Sequence, residues 1–106
     1  MTDAPEEIAV RTLYQEMQRI TFRVSKSRWF LFGSITKTKR PVGDIDLLVV
    51  CETTDDCTFV KAALAPICAR FPVHLLLMTL NEEVEVGFIQ GVRAIEITPG
   101  ALAKGR

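Results

Sequence analysis

The sequence has few cysteines, no excess of charge of either sign and no long apolar run. Three cysteines, Cys51, Cys57 and Cys68, cannot all pair within one chain, and their spacing forms neither a Cys-x-x-Cys redox pair nor a zinc-ligand pattern. They read as small buried thiols. Thirteen Lys and Arg balance thirteen Asp and Glu, which argues against direct nucleic-acid binding as the main role. The apolar runs are far too short to cross a bilayer, so no membrane role is expected. The N-terminus is acidic and lacks the apolar core of a signal peptide, which implies a cytoplasmic protein. No internal repeat or low-complexity segment is visible.

Hydrophobic residues make up 48% of the 106-residue chain and charged residues 25%, the balance of a folded globular protein. That length corresponds to one domain, residues 1–106. The charge is unevenly spread. Residues 19–40 carry seven basic side chains (Arg19, Arg23, Lys26, Arg28, Lys37, Lys39, Arg40) and no acidic one, whereas residues 44–56 carry five acidic side chains and no basic one. A cationic stretch beside carboxylates would help recruit a triphosphate. Arg19, Arg23 and Lys26 are placed instead to complement a helix C-terminus, which leaves Lys37, Lys39 and Arg40 open to either role.

Strands and helices alternate behind a leading helix. Residues 5–24 carry Pro5 and two glutamates at their start, then Val10, Leu13, Met17, Ile20 and Val24 at spacings of three and four, the signature of an amphipathic helix. The stripe is placed to pack on a sheet; it would also serve a dimer. Ser27 to Phe32 reads as a strand buried on both faces, with Trp29 in the core. Asp44 to Cys51 reads as a central strand. Thr53 to Arg70 reads as a helix with Phe59, Val60, Ala63, Leu64 and Ile67 inward, kinked or broken before Pro66. Val73 to Met78 gives a third strand. Thr79 and Glu82 form a capping box that opens a helix to about Gln90, capped by Gly91. Arg93 to Thr98 gives a final edge strand. The expected class is α/β (or α+β), a mixed β-sheet with helices packed on it.

Within this plan residues 31–50 carry the chemistry. An apolar strand breaks at Gly33-Ser34, a basic connector follows, and Asp44-Ile45-Asp46 opens the apolar run Leu47 to Val50. On a strand, side chains two apart share a face, so Asp44 and Asp46 point one way and Ile45 the other. Two adjacent like charges repel unless a cation lies between them, and a hard cation such as Mg2+ prefers carboxylate and phosphate oxygens. Gly33 lets the backbone turn sharply and approach a ligand. Ser34 adds a hydroxyl beside exposed N–H groups, which favour an anion if a helix starts there. A metal–triphosphate complex would satisfy both halves of the stretch.

Gly33-Ser34, nine intervening residues, Asp44-Ile45-Asp46 and a following apolar strand resemble the nucleotidyltransferase superfamily that includes DNA polymerase beta, and within it the minimal single-domain members. The order of the remaining elements fits, so the resemblance covers most of the chain. It implies that Gly33 and Ser34 hold the phosphates of a nucleoside triphosphate such as ATP and that Asp44 and Asp46 are catalytic residues binding Mg2+. Family members continue Gly-Ser with two arginines; Lys37 keeps the charge at the second such position, as a nucleotide-binding residue, and Ile35 departs at the first. The third strand of the family carries a further carboxylate near its start, where this chain has His74. Two readings stand side by side: His74 joins the site as a ligand or general base, or it is a plain strand histidine in a degenerate site.

The resemblance implies an Mg2+-dependent nucleotidyltransferase that moves a nucleoside monophosphate to an acceptor hydroxyl. Acceptor-holding domains of larger members have no counterpart after Ile97, so a partner chain is expected to present the acceptor. Minimal members pair as antitoxins with helical HEPN-type toxins, which makes such a protein the expected partner. The alternative is a pseudoenzyme that blocks a partner by contact alone. A third reading, a nucleotide sensor that dimerises through the Val10–Val24 stripe, is demanded by no residue pattern.

Overall fold

The computed structural model describes residues 5–33 and 44–99. The elements in chain order are α1 (Pro5–Arg23), β1 (Arg28–Phe32), β2 (Ile45–Cys51), α2 (Thr54–Arg70), β3 (Val73–Thr79), α3 (Leu80–Val86), α4 (Phe88–Val92) and β4 (Ile95–Glu96). The four strands form one mixed sheet in the order β3-β2-β1-β4. β1 runs antiparallel to both β2 and β4, whereas β2 and β3 are parallel and joined through α2. A parallel pair needs such a crossover, because its strands start at the same end of the sheet. The expected α/β class with a mixed sheet and packed helices is what the chain adopts. No described helix is long and apolar enough to cross a membrane.

Strand alternation divides the core into two. One face gathers Trp29 of β1, Ile45, Leu47, Val49 and Cys51 of β2, and Val73 of β3. The α1 stripe and Val60, Leu64 and Ile67 of α2 cover it. The stripe is centred on Ala9, Leu13, Met17, Ile20 and Val24, with Val10 only partly buried, so its first member is shifted by one position. The other face carries Phe30, Leu48 and Val50, with Phe32, Leu76, Met78, Phe88, Ile89 and Ala94 against them. β1 and β2 are therefore apolar on both sides, as the unbroken run from Trp29 to Phe32 predicts.

Four expectations need correction, in whole or in part. Helix α2 runs through Pro66 without a break. The carbonyl that loses its partner is that of Ala62; Ala62 and Pro66 are both solvent-exposed, where water can serve that oxygen. Phe59 is 37% exposed instead of core; the Arg23 guanidinium stands over its ring at 5.3 Å, a contact that suits a half-wet aromatic. The last helical segment ends early, because Gly87 takes φ 67° and caps α3, and α4 restarts after it. The Thr79–Glu82 capping box is present as expected. The final strand is shorter than expected, with only Ile95 and Glu96 in the ladder.

A small polar network pins the sheet's short edge. Ser27 is buried; its hydroxyl donates to the Val24 carbonyl at 2.7 Å and accepts from Trp29 Nε1 at 2.9 Å. The Trp29 N–H donates to Thr98 Oγ1 at 2.8 Å, and Ile97 N–H donates to the Trp29 carbonyl at 2.7 Å. Arg28 donates to both Glu96 oxygens, at 2.8 and 3.0 Å. Exposed ion pairs contribute only about 0–1 kcal/mol, so the buried Ser27–Trp29 link matters more. The basic residues of the α1 end are occupied locally: Arg19 pairs with Glu16, Arg23 stacks on Phe59, and Lys26 lies 3.6 Å from Glu52.

The cysteines are free thiols, Cys51 fully buried and Cys57 and Cys68 half-buried. Burial pushes the Cys51 thiol up to about 12, and burial likewise raises Cys57 and Cys68. Such thiols are protonated and unreactive near neutrality.

Two predictions follow from this packing. Ser27→Ala strands the buried indole N–H of Trp29 and lowers unfolding stability by about 1–3 kcal/mol in a urea titration. Because the folded Cys51 thiol titrates above its unfolded value, its stabilising effect is complete below that value and fades as pH rises through the folded one. Thermal melts between pH 8 and pH 11 should therefore fall more steeply for the wild type than for Cys51→Ala.

Candidate functional site

The site lies at the end of the sheet where β1 stops and β2 and β3 begin. Antiparallel pairing puts Phe32 beside Asp46, and parallel pairing puts Asp46 beside His74. The three side chains form a row on the face opposite the α1–α2 core. Ile45 points into that core and is buried, which anchors the strand from below. Its neighbours Asp44 and Asp46 are thereby held outward, in keeping with the strand's period of two.

Gly33 follows β1 with φ 76°, a conformation that costs other residues roughly 1–2 kcal/mol. A Cβ at this position would overlap Asp46 Oδ2 and lie 3.2 Å from its Cγ. Glycine suits the backbone angle, and a side chain here would force the Asp46 carboxylate to shift.

His74 lies between the carboxylates. Its Nδ1 is 3.3 Å from Asp46 Oδ1 and its Nε2 is 4.0 Å from Asp44 Oδ1. Asp46 is the more enclosed of the two acids, with 25% of its side chain exposed, against 54% for Asp44 and 67% for His74. An imidazole has one donor and one acceptor nitrogen when neutral and two donors when protonated. The protonated ring would aim one donor at Asp46 and bring its second N–H to ion-pair range of Asp44, beyond hydrogen-bond distance. The neutral ring leaves one carboxylate facing a lone pair, an arrangement that a cation or a substrate hydroxyl would relieve.

Beside this row a cleft of about 480 Å³ is lined by Phe32, Gly33, Asp46, Gly91, Val92 and Arg93. Its far wall is the end of α4, which is docked on the sheet by an edge-to-face contact of Phe88 with Phe32 at 5.0 Å. The Ile89 N–H donates to Glu83 Oε2 at 2.9 Å, tying the start of α4 back to α3.

Of the residues that the sequence nominates, Gly33, Asp44 and Asp46 come together, and His74 joins them. Ser34 and Lys37 lie outside the described residues, as do Ile35, Lys39 and Arg40. The far wall, Gly91 to Arg93, was legible only as a helix cap and the start of a strand; its approach to Gly33 depends on the early break at Gly87. Among the described residues no group of three or more His, Cys, Asp or Glu side chains is arranged to hold a metal ion. Asp44 and Asp46 offer hard oxygen donors on one open face, which suits a cation that brings phosphate and water ligands with it and does not suit an all-protein cage. No family model matches the chain, and no curated protein or solved structure matches it.

Gly33→Ala should destabilise the fold by about 2–3 kcal/mol, combining the backbone cost with displacement of the Asp46 side chain from its rotamer. In an Asp46→Ala background the second part disappears, so the same substitution should cost about 1 kcal/mol less, a coupling readable in a double-mutant cycle by urea unfolding. Equal costs in both backgrounds would contradict the packing described.

Proposed function

We propose that the chain is a nucleotidyltransferase of the minimal, polymerase-beta-like kind, which transfers a nucleoside monophosphate from ATP or another triphosphate to an acceptor hydroxyl. The observation that carries this reading is the fit of a glycine against Asp46. A strand end whose positive φ favours glycine, packed against the Asp46 carboxylate, lies beside two outward carboxylates at the mouth of a cleft. Mg2+, held by Asp44 and Asp46, would supply positive charge to the phosphates and to the attacking and leaving oxygens. Gly33 lets the backbone approach the phosphates, with Ser34 and Lys37 as further phosphate contacts. The acceptor oxygen bonds to the α-phosphorus, the bond from that phosphorus to the β-phosphate oxygen breaks, and pyrophosphate leaves. The hydroxyl proton passes to His74, whose ring is oriented by its contact with Asp46. The site is open to solvent at Asp44 and His74, which suits an acceptor presented by another protein. A helical HEPN-type toxin is the partner that this reading favours.

A second reading rests on the same histidine. His74 stands against both carboxylates, where a substrate-ready site of this kind would carry a third acid. The chain would then bind a partner, with or without nucleotide, and transfer nothing.

Titration of the wild type with ATP and Mg2+ should show binding that Asp44→Asn/Asp46→Asn weakens at least tenfold, about 1.4 kcal/mol or more. A chelator should reduce it similarly. With α-phosphate-labelled ATP and a partner protein, label should move to the partner, and His74→Ala should abolish that transfer while leaving binding within a few-fold. A wild type that binds no nucleotide, or that binds without transfer and still blocks its partner after Asp44→Asn/Asp46→Asn, favours the second reading.

A further inference from the structure

Arg93 stands in an unusual place for an arginine. It ends α4 at φ 56° and ψ 50°, a left-handed conformation in which glycine is the usual residue. It is the only non-glycine residue with positive φ among the described residues. The turn itself is well made: the Arg93 N–H donates to the Gln90 carbonyl at 3.3 Å and the Ala94 N–H to the Ile89 carbonyl at 3.0 Å, the paired bonds that usually close around a glycine. Arg93 is exposed and lines the same cleft as Gly33 and Asp46. Ion pairs among the described residues engage Arg19, Lys26, Arg28 and His74, and not Arg93. The wall is held in place by Phe88 against Phe32, so the guanidinium is carried on an anchored element.

We propose that Arg93 is the anion-holding residue of this cleft, and that the anion is the phosphate chain of a phosphate ester whose counter-cation meets Asp46. A guanidinium offers a planar fork of donors that matches two phosphate oxygens at once. The opposite wall is a carboxylate, which repels a bare anion and accepts a hydroxyl or a cation. A ligand spanning the cleft must therefore be negative toward Arg93 and neutral or cation-bearing toward Asp46, and a nucleoside triphosphate with its counter-cation has that polarity. The inference rests on the nucleotidyltransferase reading and adds to it a residue that grips the phosphates from the far wall. A strained backbone position on a cleft wall is the kind of outlier that clusters at ligand sites.

The test is calorimetric titration of the full chain with sodium pyrophosphate in metal-free buffer and with ATP plus Mg2+, on wild type, Arg93→Gly and Arg93→Lys, with thermal melts of the same samples. Arg93→Gly should weaken both interactions about tenfold or more, while its melting temperature stays equal or rises because the left-handed turn is relieved. Arg93→Lys should recover part of the pyrophosphate affinity. The proposal is overturned if Arg93→Gly binds both probes as the wild type does, or if the wild type does not bind pyrophosphate. Pyrophosphate bound through Arg93 without any uptake of Mg–ATP upholds the anion site and defeats the nucleotidyltransferase reading. Mg–ATP binding that needs Asp44 and Asp46 but ignores Arg93 upholds that reading and defeats this one.

Discussion

The contact of Gly33 with the Asp46 carboxylate ties the end of β1 to the start of β2. A side chain at residue 33 would meet Oδ2 of Asp46, so the carboxylate keeps its present position only with glycine there. The antiparallel ladder of β1 and β2 brings Phe32 level with Asp46, and the parallel register of β2 and β3 brings His74 level with both. Ile45, buried on the other face, fixes which way the acids point. Two strand registers and one buried isoleucine therefore place a glycine turn, two carboxylates and an imidazole on a single edge.

The two faces of the sheet divide the work. The α1–α2 face holds the larger core and the fully buried Trp29, Leu47 and Leu64, and it supplies the rigid base. The opposite face has a smaller apolar cluster and is roofed near the site by the short α4. α3, between β3 and α4, buries no residue. The site thus forms where a well-packed sheet meets a lightly built roof, so that its floor is stiff while its entrance is formed by short elements. A reacting group needs that stiffness, since misplacement by about 1 Å costs orders of magnitude in rate.

Much of this was legible in the sequence, for local reasons. The α1 stripe, the doubly buried strands, the Thr79 capping box and the outward pair Asp44 and Asp46 each follow from periodicity or from hydrogen bonds between residues a few positions apart. The misreadings have equally physical causes. Pro66 is tolerated because its side of α2 faces water, Phe59 because a cation covers its ring, and Gly87 ends α3 because a left-handed glycine is available four residues before Gly91. The placement of His74 beside the two carboxylates was legible only through the family resemblance, as one of two readings; periodicity and local hydrogen bonding could not supply it. It depends on the register of two strands separated by an entire helix, and a shift of one residue would have turned His74 to the other face. The cleft wall at Arg93 was hidden for a similar reason, since nothing local links residues 91–93 to Gly33.

The central claim is that this edge of the sheet receives a cation and a phosphate chain together. A crystal structure of the chain with Mg2+ and a non-hydrolysable nucleoside triphosphate tests it most directly. The account predicts a cation against the Asp44 and Asp46 oxygens, with phosphates lying along the backbone at Gly33. A nucleotide bound elsewhere, or an Asp44–His74–Asp46 row unchanged at saturating Mg2+ and nucleotide, would contradict it.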